Sequence, residues 1–217
     1  MAYPRLMPAQ AQQLCPGLPN PSVAIELHAP APSFDTRRLA DMKVMSRSGL
    51  GEHQEALGLY KAELRTGLRF EYAQRAYGPF VCLGVRSAVV RVEFTDRKIY
   101  LARELQPESC RYAVTLAHEH EHARIDDVVF ERELPKLKDA MVRAIREIGA
   151  IPVPTAEVEA NRADIKDRLW RALERELGRI AEIRRDEQSR IDTPESYRRE
   201  AERCPREPRV TREKLPE

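Results

Sequence analysis

Apolar and polar residues alternate over Ser22–His28 (SVAIELH), which predicts a short β-strand closed by the breaker run Ala29-Pro30-Ala31-Pro32. Residues 34–55 are ambiguous. Leu39, Met42 and Met45 fall at the spacing of one helical turn, and Gly49 and Gly51 then interrupt. From Leu57 to Leu105, alternating runs are separated by polar turn residues at Arg65-Thr66-Gly67 and at Thr95-Asp96-Arg97. This pattern predicts an antiparallel meander of about four or five strands with one buried face. After Pro107 the period lengthens. Val114, Ala117, Glu121, Ile125 and Val129 make a stripe over 109–130, Pro135 breaks or restarts the chain, and Leu137, Met141, Ile145 and Ile148 continue to Gly149. Ile151-Pro152-Val153-Pro154 reads as a stiff linker, and Ile165, Leu169, Leu173 and Leu177 form one row of a long helix over 155–191. Thr193-Pro194 ends it ahead of a shorter helix through Cys204. Strands first and helices second define an α+β chain. The expected organisation is an extended lead over 1–21, one domain over 22–204 (sheet 22–105, helices 107–204) and a flexible charged tail over 205–217.

Composition narrows the function classes. The chain has 217 residues, and its 37 basic side chains nearly cancel 35 acidic ones, leaving a net charge of +2. The signs are interleaved through the second half, which describes a solvated helix face and excludes a nucleic-acid platform. No apolar run approaches the roughly 20 residues of a membrane span. Cys15, Cys82, Cys110 and Cys204 stand far apart with no C-x-x-C, so neither a cysteine zinc knuckle nor a thioredoxin-like pair is expected. They fit two disulfides in an oxidising compartment, a reading slightly ahead of four buried thiols in a reducing one. The first residues carry no export signal, so either the chain is cytoplasmic or a leader has been removed.

The candidate chemistry sits in TLAHEHEHARID. Read from His118, it is H-E-x-x-H on a predicted helix. His118 and His122 lie one turn apart on one face and can reach a single metal ion, while Glu119 is placed to accept a proton from metal-bound water. His120 lies on another face and reads as solvated or hydrogen-bonded. No histidine follows His122, so a third protein ligand must be a carboxylate, unless a Tyr or Cys serves. Asp126, one turn on, suits a hydrogen-bond acceptor better than a ligand. Glu131 and Glu133 could return if the helix turns near Val128, and Glu147 if a hairpin forms at Pro135. Each of these glutamates is more readily read as a solvated or ion-paired side chain than as a ligand.

An antiparallel sheet followed by an HExxH helix is similar to the zincin metallopeptidases. More closely, residues 82–204 resemble a sparsely characterised family of bacterial, usually exported proteins regarded as zinc-dependent proteases. The matching pieces are the meander ending in KIYLARE, the segment SCRYAVTLAHEHEHARID, and a terminal helix leading to RIDTPESY. The resemblance implies a zincin-like fold, a hydrolase binding one Zn²⁺ per chain through His118 and His122, Glu119 as general base, and a peptide or protein substrate. It implies an exported or periplasmic location if a leader was removed, and otherwise a cytoplasmic one. In that pattern an Asp is followed shortly by His-Gly, whereas Asp192 is followed by Tyr197. Asp192 thus joins Glu131 at the head of the third-ligand candidates, although it could also cap a helix. The exported resemblance further implies that Cys110 pairs with Cys204 and Cys15 with Cys82. Two other readings use the same residues: a zinc amidase acting on cell-wall peptides, and a non-enzymatic helical binding or assembly module.

Overall fold

A computed structural model describes Cys15, residues 18–45 and residues 57–207. Most of the expected N-terminal lead, the glycines at 49 and 51, and residues 208–217 of the expected tail lie outside the described residues. In chain order the elements are β1 (Ser22–His28), β2 (Ser33–Arg37), α1 (Leu39–Met45), β3 (Gly58–Tyr77), β4 (Phe80–Ala102), α2 (Cys110–Ile148), β5 (Ile151–Pro154), a 3-10 turn (Thr155–Glu157), α3 (Val158–Ile191) and α4 (Pro194–Glu202).

The sheet is not the expected antiparallel meander, and the zincin-like architecture implied with it is not what this chain forms. Every other strand pairs with β4. β1 runs parallel to it, with Ser22 opposite Ser87 and His28 opposite Glu93. β2 is also parallel, with Ser33 opposite Lys98 and Arg37 opposite Ala102. β5 runs antiparallel to β4, pairing Phe80 with Pro154 through Leu83 with Ile151. Alternation tells which face of a strand is buried and carries no information about the direction of its partner. The two expected hairpin turns also fail. β3 runs through Arg65-Thr66-Gly67, and the real connection is Gly78-Pro79, where Gly78 takes a positive φ of 56°. β4 runs through Thr95-Asp96-Arg97 because Asp96 absorbs the local irregularity at φ 54°, while Arg97 turns inward. Residues 98–102 of β4 are paired with β2 and so present no free edge on that side.

The helix after Pro107 is also longer than its pattern suggested. α2 continues through Pro135 for 39 residues, so no hairpin forms there. Proline removes one helical N–H, a loss of about 3 kcal/mol in a helix interior. The flanking residues Phe130, Leu137 and Met141 are fully buried and offset it. Gly149, at φ 64°, ends the helix, its N–H bonding Ile145 O at 3.0 Å.

The chain divides into two compact units, and the four long elements each contribute to both. The first comprises residues 1–28, 65–93 and 130–181. Its core gathers Leu83, Val90 and Val92 of β4, Leu137, Met141 and Ile145 of α2, and Ile165, Leu169 and Leu173 of α3. The second comprises residues 29–64, 94–129 and 182–217. Leu39, Ala102 and Leu105 cluster there with Leu57 and Tyr112 against them. Each unit carries one disulfide, Cys15–Cys82 in the first and Cys110–Cys204 in the second. The sequence separations are 67 and 94 residues, and closing loops of that size removes enough denatured-chain entropy to stabilise by about 4 kcal/mol per bridge. No helix among the described residues is long and apolar enough to cross a membrane.

Candidate metal centre

The site lies within the second unit. The start of α2 is fixed by three devices. Ser109 Oγ accepts the Tyr112 N–H at 3.0 Å, the Glu207 carboxylate accepts the N–H groups of Cys110 and Arg111 at 2.6 and 2.9 Å, and Cys110 is bonded to Cys204. The start of α4 is fixed by a capping box between Thr193 and Ser196 with Pro194 in the first turn. Asp192 stands immediately before that cap, at the junction of α3 and α4, while Tyr197 and Glu200 sit on one face of α4, three residues apart.

These ends bring three donor atoms together. His118 Nε2 and His122 Nε2 are 3.1 Å apart, and Asp192 Oδ1 is 3.1 Å from each. His118, His122 and Asp192 form a group that could hold a metal ion. The imidazoles are mostly buried, whereas the Asp192 side chain is 41% exposed, so the group opens to solvent on that side. Each donor has an outer partner. His118 Nδ1 meets Glu200 Oε1 at 2.8 Å, His122 Nδ1 meets Gln188 Oε1, and the Tyr197 hydroxyl donates to Asp192 Oδ1 at 2.8 Å. The Tyr197 ring also lies 5.5 Å from that of His118.

Glu119 is buried, its carboxylate bonded by the Tyr60 backbone N–H. The approach of β3 is close enough that a Cβ on Gly58 would stand 2.7 Å from Glu119 Cγ and from Thr115 Cγ2, so only glycine fits there. Behind the site is a polar chain with no exposed member at its centre. Asp126 is fully buried and accepts from Tyr60 Oη at 2.8 Å, Arg184 Nη2 at 2.9 Å and Gln188 Nε2 at 2.8 Å. Arg97, also buried, donates to Tyr60 Oη, Pro30 O and Ala123 O and pairs with Asp127 at 2.8 Å.

Electrostatically the centre calls for positive charge. Burial alone would lower the His118 imidazole, but hydrogen bonds to Asp192 and Glu200 and the charge of Glu119 push it up to about 10. His122 is also raised, against its burial, by Asp192 and Glu119. Asp192 is held well below the usual carboxylate range, its burial overcome by the two imidazoles and Tyr197. Burial raises Glu119 to about 7, and the two histidines pull it back only in part. Two Nε2 atoms and a carboxylate oxygen so close repel one another unless protons or a cation lie among them.

Of the residues singled out in the sequence, His118, His122 and Asp192 meet, with Glu119 coupled to all three. Asp126 is an acceptor outside the group. Glu131 is not in the group, Glu147 is exposed on the continuous α2, and the buried Glu133 is held by basic side chains of the first unit. His120 is exposed and packs edge-on against Phe34, ring centroids 5.4 Å apart. Gln188, Tyr197 and Glu200 were missed. For Gln188 the one legible signal is its place four residues before Asp192, as His118 lies before His122; Tyr197 and Glu200 lie three apart on α4. No known protein family, curated protein or solved structure matches this chain.

Proposed function

We propose that the chain is a zinc-dependent peptidase, exported to an oxidising compartment, in which His118, His122 and Asp192 hold the metal and Glu119 is the general base. The observation that carries this reading is the convergence of two imidazole nitrogens and one carboxylate oxygen beside a buried glutamate. The donor triangle has edges of 3.1 Å, and tetrahedral ligands at 2.0–2.1 Å from zinc stand about 3.3 Å apart, so the residues fit that ion. Two imidazoles and a carboxylate leave the fourth position to water or substrate, as catalytic rather than structural zinc requires. Bound there, zinc would supply Lewis acidity, acidifying a water and polarising a carbonyl.

The remaining work belongs to the chain. Glu119, with its carboxyl raised to about 7 in the metal-free protein, takes the proton of the attacking water and returns it to the leaving amine. Glu200 and Gln188 hold the two rings in place from behind. Asp192, the exposed member, marks the side from which a substrate arrives. The two disulfides support the compartment, since such bonds persist where glutathione does not reduce them.

Metal analysis of gently purified protein should find close to one zinc per chain. Glu119→Gln should keep that zinc and the fold while hydrolysis of a peptide library, read by mass spectrometry, falls by about 10²–10⁴-fold. The library would be supplemented with peptidoglycan fragments to separate a peptidase from a cell-wall amidase. A wild type that holds zinc but cleaves nothing would favour the non-enzymatic binding module.

A further inference from the structure

Resting on the metal-binding reading, we infer that Gln188 is a positioning residue that locks His122 into its Nδ1–H tautomer, leaving the Nε2 lone pair aimed at the metal position. The amide of Gln188 has two possible orientations, and its neighbours decide between them. Nε2 carries two N–H groups and finds two acceptors, His122 O at 2.9 Å and Asp126 Oδ1 at 2.8 Å. Turned over, the amide would set its carbonyl oxygen against both of those oxygens and leave its own donors facing a ring nitrogen. Oε1 therefore faces His122 Nδ1. A carbonyl oxygen only accepts, so Nδ1 must be the donor.

The same amide thus holds the ring and the main chain of one histidine. Its anchor is firm, because Asp126 is fully buried and is itself held by Tyr60 and Arg184. The two ligand histidines are consequently oriented by different chemistry. His118 has the charged carboxylate of Glu200 on Nδ1, whereas His122 has a neutral amide. A neutral partner fixes the tautomer without adding a further negative charge beside the buried Asp126.

The test compares wild type, Gln188→Met and Gln188→Glu. Met keeps the length and removes every hydrogen bond, while Glu keeps an acceptor for Nδ1–H. Zinc affinity, measured by competition with a chromophoric chelator, should weaken by about 10–100-fold in Gln188→Met. Gln188→Glu sets a second oxygen against His122 O and Asp126, so its affinity also falls, but it should keep the His122 Nδ1–H hydrogen bond. In the ¹H–¹⁵N spectrum of the imidazoles, wild type should show exchange-protected Nδ1–H signals for both His118 and His122, and Gln188→Met should lose only the second. Equal zinc affinity in wild type and Gln188→Met would overturn the inference, as would loss of the His122 Nδ1–H signal in folded Gln188→Glu. If neither variant folds, absence of the His122 Nδ1–H signal in wild type overturns it and presence supports it. A wild type that takes up no zinc would defeat the metal reading; in that metal-free protein, loss of exchange protection at the His122 Nδ1–H on Gln188→Met would still support the contact, and unchanged protection would overturn it.

Discussion

Each unit holds a carboxylate among nitrogen bases, and the two are finished differently. In the first, Glu133 is buried on α2 and meets Arg132 Nε at 2.8 Å, Lys136 Nζ at 2.9 Å and Arg179 Nη1 at 2.8 Å. In the second, Asp192 meets two imidazoles and a phenol. Guanidinium and ammonium groups stay charged at every physiological pH, so Glu133 is neutralised permanently and its surroundings have no vacancy for another cation. Imidazoles are cations only while they hold a proton, and without it they offer lone pairs to a metal. Identical carboxylate chemistry thus yields a structural tie in one unit and, in the other, a cluster that could hold a metal ion. The choice of partner decides.

The sharpest way to break this contrast is to remove a carboxylate from each unit. Asp192→Ala should reduce zinc affinity by more than the roughly 100-fold seen for loss of an outer partner, while Glu131→Gln should leave it unchanged. Competition titration checks both, and a strong effect at Glu131 with none at Asp192 would reverse the assignment. Glu133→Gln should do the opposite: zinc binding untouched, and unfolding free energy lower by about 1–3 kcal/mol, because three partly exposed cations are left beside a neutral amide. Urea denaturation with unchanged metal content would show it.

The smallest effect is in pH dependence, where the two units differ in sign. The partners of Glu133 overcome its burial and hold its pKa down at about 2, below its unfolded value. Its stabilisation is complete above the ordinary carboxylate range and is lost only as pH falls through about 2. His118 in the metal-free protein is raised to about 10. Its stabilisation is complete below the ordinary histidine value and is lost as pH rises through about 10. Urea midpoints of metal-free protein should therefore decline on the alkaline side, and zinc-loaded protein should resist that decline because the metal replaces the protons. Parallel curves for the two forms would count against metal at this centre.

Much of this was legible in the sequence, for identifiable reasons. β1 was readable because its alternation is clean and a proline run closes it. The approach of His118 to His122 was readable because four residues along one helix put both rings on one face. Arg97 was not: a charged residue between Thr95-Asp96 and a new apolar run reads as a turn, and only the acceptors on α2 and at Pro30 make its burial tolerable. The parallel pairing of β1 and β2 depends on chain crossings that leave no local trace. Asp192 stood among several carboxylates until the Thr193 cap and the Cys110–Cys204 bond set where the end of α3 lies relative to the start of α2 within the second unit. Gln188 carries no charge and belongs to no motif, and its role exists only once His122 and Asp126 stand beside it.

The bond between Cys110 and Cys204 also has a topological consequence. It closes a covalent ring, and every candidate ligand, His118, His122 and Asp192, lies on the arc inside it. A single backbone cut anywhere along that arc would open the ring without separating the pieces. The histidine-bearing and aspartate-bearing segments would then remain one molecule, migrating as an intact chain until reduced. A nick within that arc need not dismember the site.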